Sequence, residues 1–265
     1  MIGVFDSGVG GLTVLHELLV SLPAEDYLYF GDSGHFPYGT KSPEELRERS
    51  VAITEFLIDR EIKLLVIACN SATAAAAPLI RDMGEQAGIP VVTVIGPEAE
   101  IAAAITENGK VGVLATPATV SSGAYRNALE NQGRPLGVTE VAAPDLAPMI
   151  QNELSFDEDL IDTVRGYCGP LKEAGVDTLI LGCTHYPLIA PAIQRILGRD
   201  VRLVTAGHAI AGAIQRELAA TGSLNVNGTE GDYQFLVTGD VAAFAEDGAR
   251  FLQLPLARRV GTVTI

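Results

Sequence analysis

The feature that most restricts the fold of this chain is a repeat carried on alternating strand-like and helix-like segments. Leu65-Val66-Ile67-Ala68-Cys69-Asn70-Ser71 and Leu179-Ile180-Leu181-Gly182-Cys183-Thr184-His185 share one form. Each is an apolar run, then a cysteine, then an amide or hydroxyl residue, then the start of a helical pattern. Upstream, Ile2-Gly3-Val4-Phe5-Asp6-Ser7 resembles Val111-Gly112-Val113-Leu114-Ala115-Thr116. The offsets are similar, 109 residues from Ile2 to Val111 and 114 from Cys69 to Cys183. Such a duplication predicts two pseudo-equivalent α/β halves.

Short β-branched runs predict strands at Ile2–Phe5, Tyr27–Phe30, Leu64–Ala68, Val91–Ile95, Val111–Ala115, Val138–Ala142, Thr178–Gly182, Arg202–Val204 and Phe235–Val237. Helical patterns lie between them. Ser42-Pro43-Glu44-Glu45 reads as a capping box with proline at the first helical position, and Leu46, Ile53 and Leu57 then fall on one face. Strands alternating with helices imply mostly parallel sheets covered on both sides, with ligands beyond the carboxyl ends of the strands. The crossover between halves is expected near Gly96-Pro97, and the tail after Thr205 is expected to return to the first half. The expected domains are therefore residues 1–95 plus 206–265, carrying Cys69, and 96–205, carrying Cys183.

At about 150 residues per domain, 265 residues allow roughly 1.8 domains. Hydrophobic residues at 48% and charged residues at 19% supply a core and exclude a disordered chain. A net charge of −15 repels a phosphate backbone, and the densest basic pair is only Arg258–Arg259, so nucleic acid is not the expected partner. Three cysteines make no disulfide framework and suit a reducing compartment. No basic, apolar leader opens the chain, and no run of about 18 apolar residues occurs. A cytoplasmic protein with neither secretion signal nor membrane span is expected.

Cys69 and Cys183 each end an apolar run and open a helical pattern, with Asn70 and Thr184 as expected N-caps. A thiol at a helix N-terminus feels the positive end of the dipole, which favours thiolate. His185 lies two residues after Cys183, and Asp6 ends the corresponding strand of the first half. A single cysteine at a strand end is most simply a small buried hydrophobe. Two at equivalent positions of a repeat, each followed by polar residues, point to chemistry instead. Cys168 has no such context and reads as packing. If the halves face each other, one thiol flanks each side of a bound ligand. One can take a proton from a carbon acid and the other return one to the opposite face, inverting a stereocentre. A thiol near pKa 8.5 is within reach of modest tuning for that work.

The loop Asp6-Ser7-Gly8-Val9-Gly10-Gly11-Leu12 has Thr13 where a dinucleotide fingerprint needs glycine or alanine, and no Gly-Lys-Ser/Thr of a P-loop. It is expected to offer bare helix N-terminal amides to a carboxylate. Gly31-Asp32-Ser33 and Pro37-Tyr38-Gly39-Thr40 form a loop after the second strand, in which Tyr38 and the Gly39 backbone can donate to a ligand. The segment Gly31–Thr40 is the candidate for closing over it. Thr116 and Thr119 add hydroxyls at another strand end, where they could equally cap a helix. Of the four lysines, only Lys41 lies near a motif, which argues against pyridoxal chemistry, and no cofactor is expected. The motifs lack arginine, so a carboxylated ligand would be held by N–H and hydroxyl donors. Cysteine and histidine spacing gives no metal-site pattern, and no metal is expected. His16 and His208 read as surface or packing residues. His35 is a loop residue without an assigned role.

These residues resemble the glutamate racemase branch of the cofactor-independent aspartate/glutamate racemase superfamily. The resemblance rests on Phe5-Asp6-Ser7-Gly8-Val9-Gly10-Gly11-Leu12-Thr13-Val14; Phe30-Gly31-Asp32 with Pro37-Tyr38-Gly39-Thr40-Lys41-Ser42; Ala68-Cys69-Asn70-Ser71-Ala72; Thr116-Pro117-Ala118-Thr119-Val120; Leu181-Gly182-Cys183-Thr184-His185-Tyr186-Pro187; and Thr238-Gly239-Asp240. It implies two α/β domains with the site in the cleft between them, commonly as a homodimer. It implies interconversion of L- and D-glutamate, supplying D-glutamate for peptidoglycan. Cys69 would deprotonate D-glutamate and Cys183 L-glutamate, assisted by Asp6 and His185. Substrate contacts would come from Asp6, Ser7, Tyr38, Gly39, Asn70, Ser71, Thr184 and His185. Ser71 stands where the family usually has threonine, and Gly34-His35-Phe36 departs from its usual loop. Pro148-Met149-Ile150-Gln151 replaces a common Pro-Leu-Val-Glu, so an assisting acid is an amide here, with Glu153 as a possible substitute. Three other readings compete: a superfamily member acting on aspartate or another small acid, a Cys–His hydrolase with Cys183 as nucleophile, and a two-domain binding protein without chemistry.

Overall fold

Each apolar run of the repeat becomes an interior strand of a wholly parallel sheet. The computed structural model describes residues 1–152, 155–226, 228–256 and 259–265. Glu153 and Arg258, both named in the sequence reading, lie outside the described residues. The strands are β1 (Ile2–Asp6), β2 (Tyr27–Gly31), β3 (Leu64–Ile67), β4 (Val91–Thr93), β5 (Lys110–Ala115), β6 (Gly137–Ala142), β7 (Thr178–Gly182), β8 (Arg202–Val204), β9 (Tyr233–Val237) and β10 (Val260–Thr262). One sheet runs β10-β9-β2-β1-β3-β4 and the other β6-β5-β7-β8. All pairings are parallel. The order β2-β1-β3-β4 thus recurs as β6-β5-β7-β8, and the sequence repeat is a repeat of topology.

Period-two burial explains why these runs hold. Ile2, Val4, Leu64 and Val66 join a core that continues into the second sheet. Phe5, Leu65 and Ile67 point to the other face, onto Leu46, Ile53 and Leu57 of the helix Pro43–Ile58. Both faces of the sheet are therefore dry, as parallel sheets require. The helix Pro43–Ile58 starts with the expected capping box, Ser42 and Glu45 bonding reciprocally.

Two differences from the sequence reading concern strand ends. The run Val91–Ile95 stops pairing at Thr93, and Ile95 opens the helix Ile95–Ile105. Gly96-Pro97 fits that helix's first turn, where a missing N–H costs nothing. The strand β10, at the sheet edge, has only three residues, one of them Gly261, and so carries no alternating apolar pattern in the sequence.

The helix Ile95–Ile105 carries the chain from β4 to the second sheet, packing on β7, β8 and the helix Ala124–Glu130. The tail comes back: the helix Ala206–Ala220 lies on the helix Leu12–Ser21, and β9 pairs with β2. Among the described residues, no helix is long and apolar enough to cross a membrane.

Candidate active site

The carboxyl ends of β1, β3, β5 and β7 are followed by Ser7, Cys69, Thr116 and Cys183, and all four line one cavity. Asn70, Ser71, Tyr38 and Gly39 border it from the first sheet's side, Thr184 and His185 from the second's. The walls are close, leaving a narrow cleft between them.

Both thiols sit at strand ends as the sequence implied, but their local geometry differs from expectation. Cys69, not Asn70, is the N-cap of the helix Asn70–Ala87, its sulfur accepting from the Ala72 N–H at 3.4 Å. Asn70 is already inside the first turn. Cys183 is followed by a turn and the short 3-10 helix Tyr186–Ile189, which His185 precedes without a side-chain cap. Thr184 does not cap it, because its hydroxyl donates to Asp6 Oδ2 at 3.2 Å. Nor does the helix end favour thiolate overall. Burial pushes the Cys69 thiol up to about 12, helped by the nearby Asp6 charge and opposed by the Ala72 N–H. Burial raises Cys183 as well. Desolvation of a fully enclosed sulfur outweighs a single turn's dipole, so both thiols rest protonated.

The glycine-rich loop is corrected too. Its amides face Asp6 of the same chain rather than an external carboxylate: Gly8 N–H donates to Asp6 Oδ1 at 3.0 Å, and Gly11 N–H also bonds that side chain. The glycines serve close approach across the cleft. A Cβ on Gly10 would lie 2.4 Å from both His185 Nδ1 and Thr184 Oγ1, and one on Gly39 would lie 2.7 Å from Thr116 Cβ. Thr13, the residue that broke the dinucleotide pattern, bonds the Thr184 carbonyl at 2.9 Å.

Asp6 itself is fully buried and does not border the cavity. It stands behind Ser7 and Thr184, so its reach to a ligand runs through them. Burial pushes its carboxyl up to about 6, against the bonds from Gly11, Gly8, Thr184 and Ser7. Thr119 is likewise one side chain back, its hydroxyl 3.1 Å from that of Thr116, which sits 2.9 Å from the Ser71 hydroxyl. Thr116 also caps the helix Pro117–Ser121, its side chain accepting from the Thr119 N–H.

Tyr38 is fixed from behind by Asp32, to which its hydroxyl donates at 2.5 Å. Asp32 also receives a two-pronged bond from Arg49, at 3.0 and 2.9 Å, and bonds from Thr238 and His35. Burial would raise the Asp32 carboxyl, but these donors outweigh it and hold it below its usual range. His35, unassigned in the sequence, thus belongs to this anchor. His16 bonds the Leu252 carbonyl, His208 is exposed, and Cys168 is packed in the core.

His185 is buried, which pushes its pKa down to about 3, so the ring is neutral. Its Nδ1 lies 3.8 Å from the Cys183 sulfur and its Nε2 3.0 Å from Gln151 Oε1. Phe36 and Phe251 flank the ring. Sequence reasoning missed Arg49, Glu98 and Tyr125. Arg49 carries no signal, standing far from Asp32 in the chain. Glu98 did carry one, since it shares a helical face with Ile95 and Ala102. Among the described residues, no group of three His, Cys, Asp or Glu side chains is placed to hold a metal ion.

A family model for Asp/Glu/hydantoin racemases matches residues 2–214. The chain belongs to the Asp/Glu/hydantoin racemase family. It is therefore an isomerase. Glutamate racemase of Geobacter metallireducens is 43% identical over 251 residues, covering 95% of this chain and 92% of that protein. A glutamate racemase isoform from Bacillus anthracis superposes with a TM-score of 0.94 at 37% identity, covering 100% of this chain and 97% of that one. Glutamate racemase from Francisella tularensis in complex with D-glutamate gives a TM-score of 0.92 at 33% identity, covering 99% of this chain and 97% of that one. The two-sheet α/β architecture of the sequence reading is thus shared with these racemases.

Proposed function

We propose that this racemase-family chain interconverts L- and D-glutamate by two-base proton transfer at Cα. The observation that carries the reading is that Cys69 and Cys183, from equivalent strand ends of two sheets, line the same cavity. The halves are residues 1–95 with 206–265, and 96–205. In the D-to-L direction the ionised Asp6 carboxylate draws the S–H proton off Cys69, and the resulting thiolate takes the Cα proton, leaving a carbanion delocalised into the α-carboxylate. Cys183 then delivers its S–H proton to the opposite face, and ends as the thiolate. The L-to-D direction reverses both roles. The bookkeeping closes with no net proton gained or lost.

Several features support this. The substrate carboxylates have donors to meet in the hydroxyls of Ser7, Ser71 and Thr116 and the Gly39 backbone N–H, with Asn70, Thr184 and Tyr38 completing the walls. Asp6 acts on Cys69 and Thr184 from behind, and His185 on Cys183. Close relatives at 40–43% identity bear the name glutamate racemase, which favours glutamate over aspartate. D-glutamate made this way would serve peptidoglycan synthesis in the cytoplasm, and a homodimer is the expected assembly. The tightness of the cleft implies that the walls part to admit an amino acid.

The Cys183–His185 approach is also what a thiol hydrolase needs, but that reading leaves Cys69 without a task. One experiment separates them. Protein stripped of metal and pyridoxal is incubated with L-glutamate in heavy water, followed by chiral analysis and mass spectrometry. D-glutamate bearing one Cα deuterium supports the proposal. Absence of both inversion and exchange overturns it.

A further inference from the structure

Behind the cavity, a buried acid joins three helices, and nothing in the two-thiol reaction uses it. Glu98 sits on the crossover helix Ile95–Ile105, fully buried. Tyr125, also fully buried, donates its hydroxyl to Glu98 Oε2 at 2.5 Å. Asn70 Nδ2 donates to the Tyr125 hydroxyl oxygen at 2.7 Å and to Glu98 Oε2 at 3.2 Å. Asn70 is the residue after Cys69 and lines the cavity. The Tyr125 ring lies under Gly182, where an added Cβ would approach it to 2.9 Å. The three side chains thus tie the first turn after Cys69 to the segment just before Cys183.

We propose that Glu98 and Tyr125 are positioning residues for Asn70, holding its carboxamide so that its oxygen is presented to the ligand. Both N–H bonds of the amide are committed to this pair, which sets the carboxamide plane. Asn70 Oδ1 is buried and has no hydrogen-bond partner. A buried amide oxygen without a donor is unfavourable, and the ammonium group is the donor that glutamate brings. This inference rests on the glutamate reading above.

The same geometry makes the hold sensitive to alkali. Burial pushes the Glu98 carboxyl up to about 8, against the bonds from Tyr125 and Asn70. Tyr125 from the helix Ala124–Glu130 and Cys183 at the end of β7 are the titratable groups that feel its charge. From the helix Asn70–Ala87 it meets the uncharged Asn70. Among the described residues, β8 and the helix Ala206–Ala220 bring no charged group coupled to it. Below that range Glu98 is a neutral acid. Above it, a carboxylate with an unpartnered Oε1 lies buried beside the amide it holds.

Steady-state kinetics with D- and L-glutamate from pH 6 to 9.5 test the assignment, on wild type, Tyr125→Phe, Glu98→Leu and Glu98→Gln. Removing the hydroxyl in Tyr125→Phe is expected to raise KM about fivefold, the worth of one neutral hydrogen bond, with kcat changed less than KM. Glu98→Leu is expected to do the same at pH 7, and Glu98→Gln, with the same shape and no charge, to restore most of the loss. Wild type should show KM rising above pH about 8, and Glu98→Gln should not. An unchanged KM in Tyr125→Phe, or the same alkaline rise of KM in Glu98→Gln, overturns the positioning role while leaving the glutamate reading intact. If Tyr125→Phe does not fold, the Glu98→Gln profile decides. Wild type that turns over neither enantiomer overturns the glutamate reading, and this assignment with it.

Discussion

His185 Nε2 lies 3.0 Å from Gln151 Oε1, and this single contact sets which ring nitrogen carries the proton. An amide oxygen only accepts, so the hydrogen is on Nε2 and the Nδ1 lone pair faces the Cys183 sulfur at 3.8 Å. Arg250 donates to the Gln151 backbone carbonyl at 2.7 Å, holding the residue in place from the first half's tail. Gln151→Glu would put a carboxylate against Nε2. That charge stabilises imidazolium, and an imidazolium Nδ1–H stabilises the Cys183 thiolate. The acid limb of kcat/KM for racemisation is expected to move to lower pH by about one unit. It must move equally in both directions, because the equilibrium constant between enantiomers is one. An unmoved limb in polarimetric assays from pH 5 to 9 would refute this.

Removing either thiol separates proton exchange from inversion. In Cys183→Ala, Cys69 still reaches one face, so D-glutamate should go on exchanging its Cα proton with solvent. Inversion should fall on the order of 10³-fold, the usual contribution of one general acid or base. Cys69→Ala should mirror this with L-glutamate. Proton NMR in heavy water follows the exchange and chiral chromatography the inversion. Equal loss of exchange from both enantiomers in each variant would contradict opposed bases.

Asp6 couples stability to pH. Its carboxyl titrates near 6 when folded and near 3.8 when exposed, so the folded chain holds the extra proton between those values. The stability Asp6 contributes is full below pH 3.8 and is lost as pH rises through about 6. At about 1.4 kcal/mol per tenfold, the loss is roughly 3 kcal/mol. Asp6→Asn should abolish that component. Urea unfolding at pH 4 and pH 7 should therefore show a smaller fall for the variant than for wild type. Parallel pH profiles would rule the coupling out.

Arg49 is the counter-ion that makes the Tyr38 anchor possible. Its fork meets both oxygens of fully buried Asp32. Arg49→Ala would leave that carboxylate uncompensated, at an expected cost of about 3 kcal/mol. Arg49→Lys should recover only part, because an ammonium cannot make the two-pronged bond. Chemical denaturation gives the first quantity. A rise in KM for glutamate as Tyr38 loosens gives the second readout. A variant as stable as wild type would remove Asp32–Arg49 from the account.

Strand positions, parallel pairing and the two-part organisation were legible in the sequence because they follow from local rules. Apolar runs of four or five residues bury both faces, and turn residues end them. The duplicated strand–cysteine motif marked the equivalent positions of the two sheets. That the thiols, Ser7 and Thr116 would gather around one cavity was legible for the same reason, since the carboxyl ends of parallel strands border a common crevice.

The ionisation of those thiols was not legible. Sequence puts Cys69 at a helix start and so suggests thiolate, but complete burial reverses the balance. Contacts between distant segments were equally hidden: Gln151 on His185, Arg49 on Asp32, and Glu98 and Tyr125 on Asn70. Periodicity and motif report which residues face inward and where a chain turns. Which inward-facing polar group meets which other depends on how two sheets and their crossover helix pack, and only the folded chain settles that, because desolvation and pairing energies act through space rather than along the sequence.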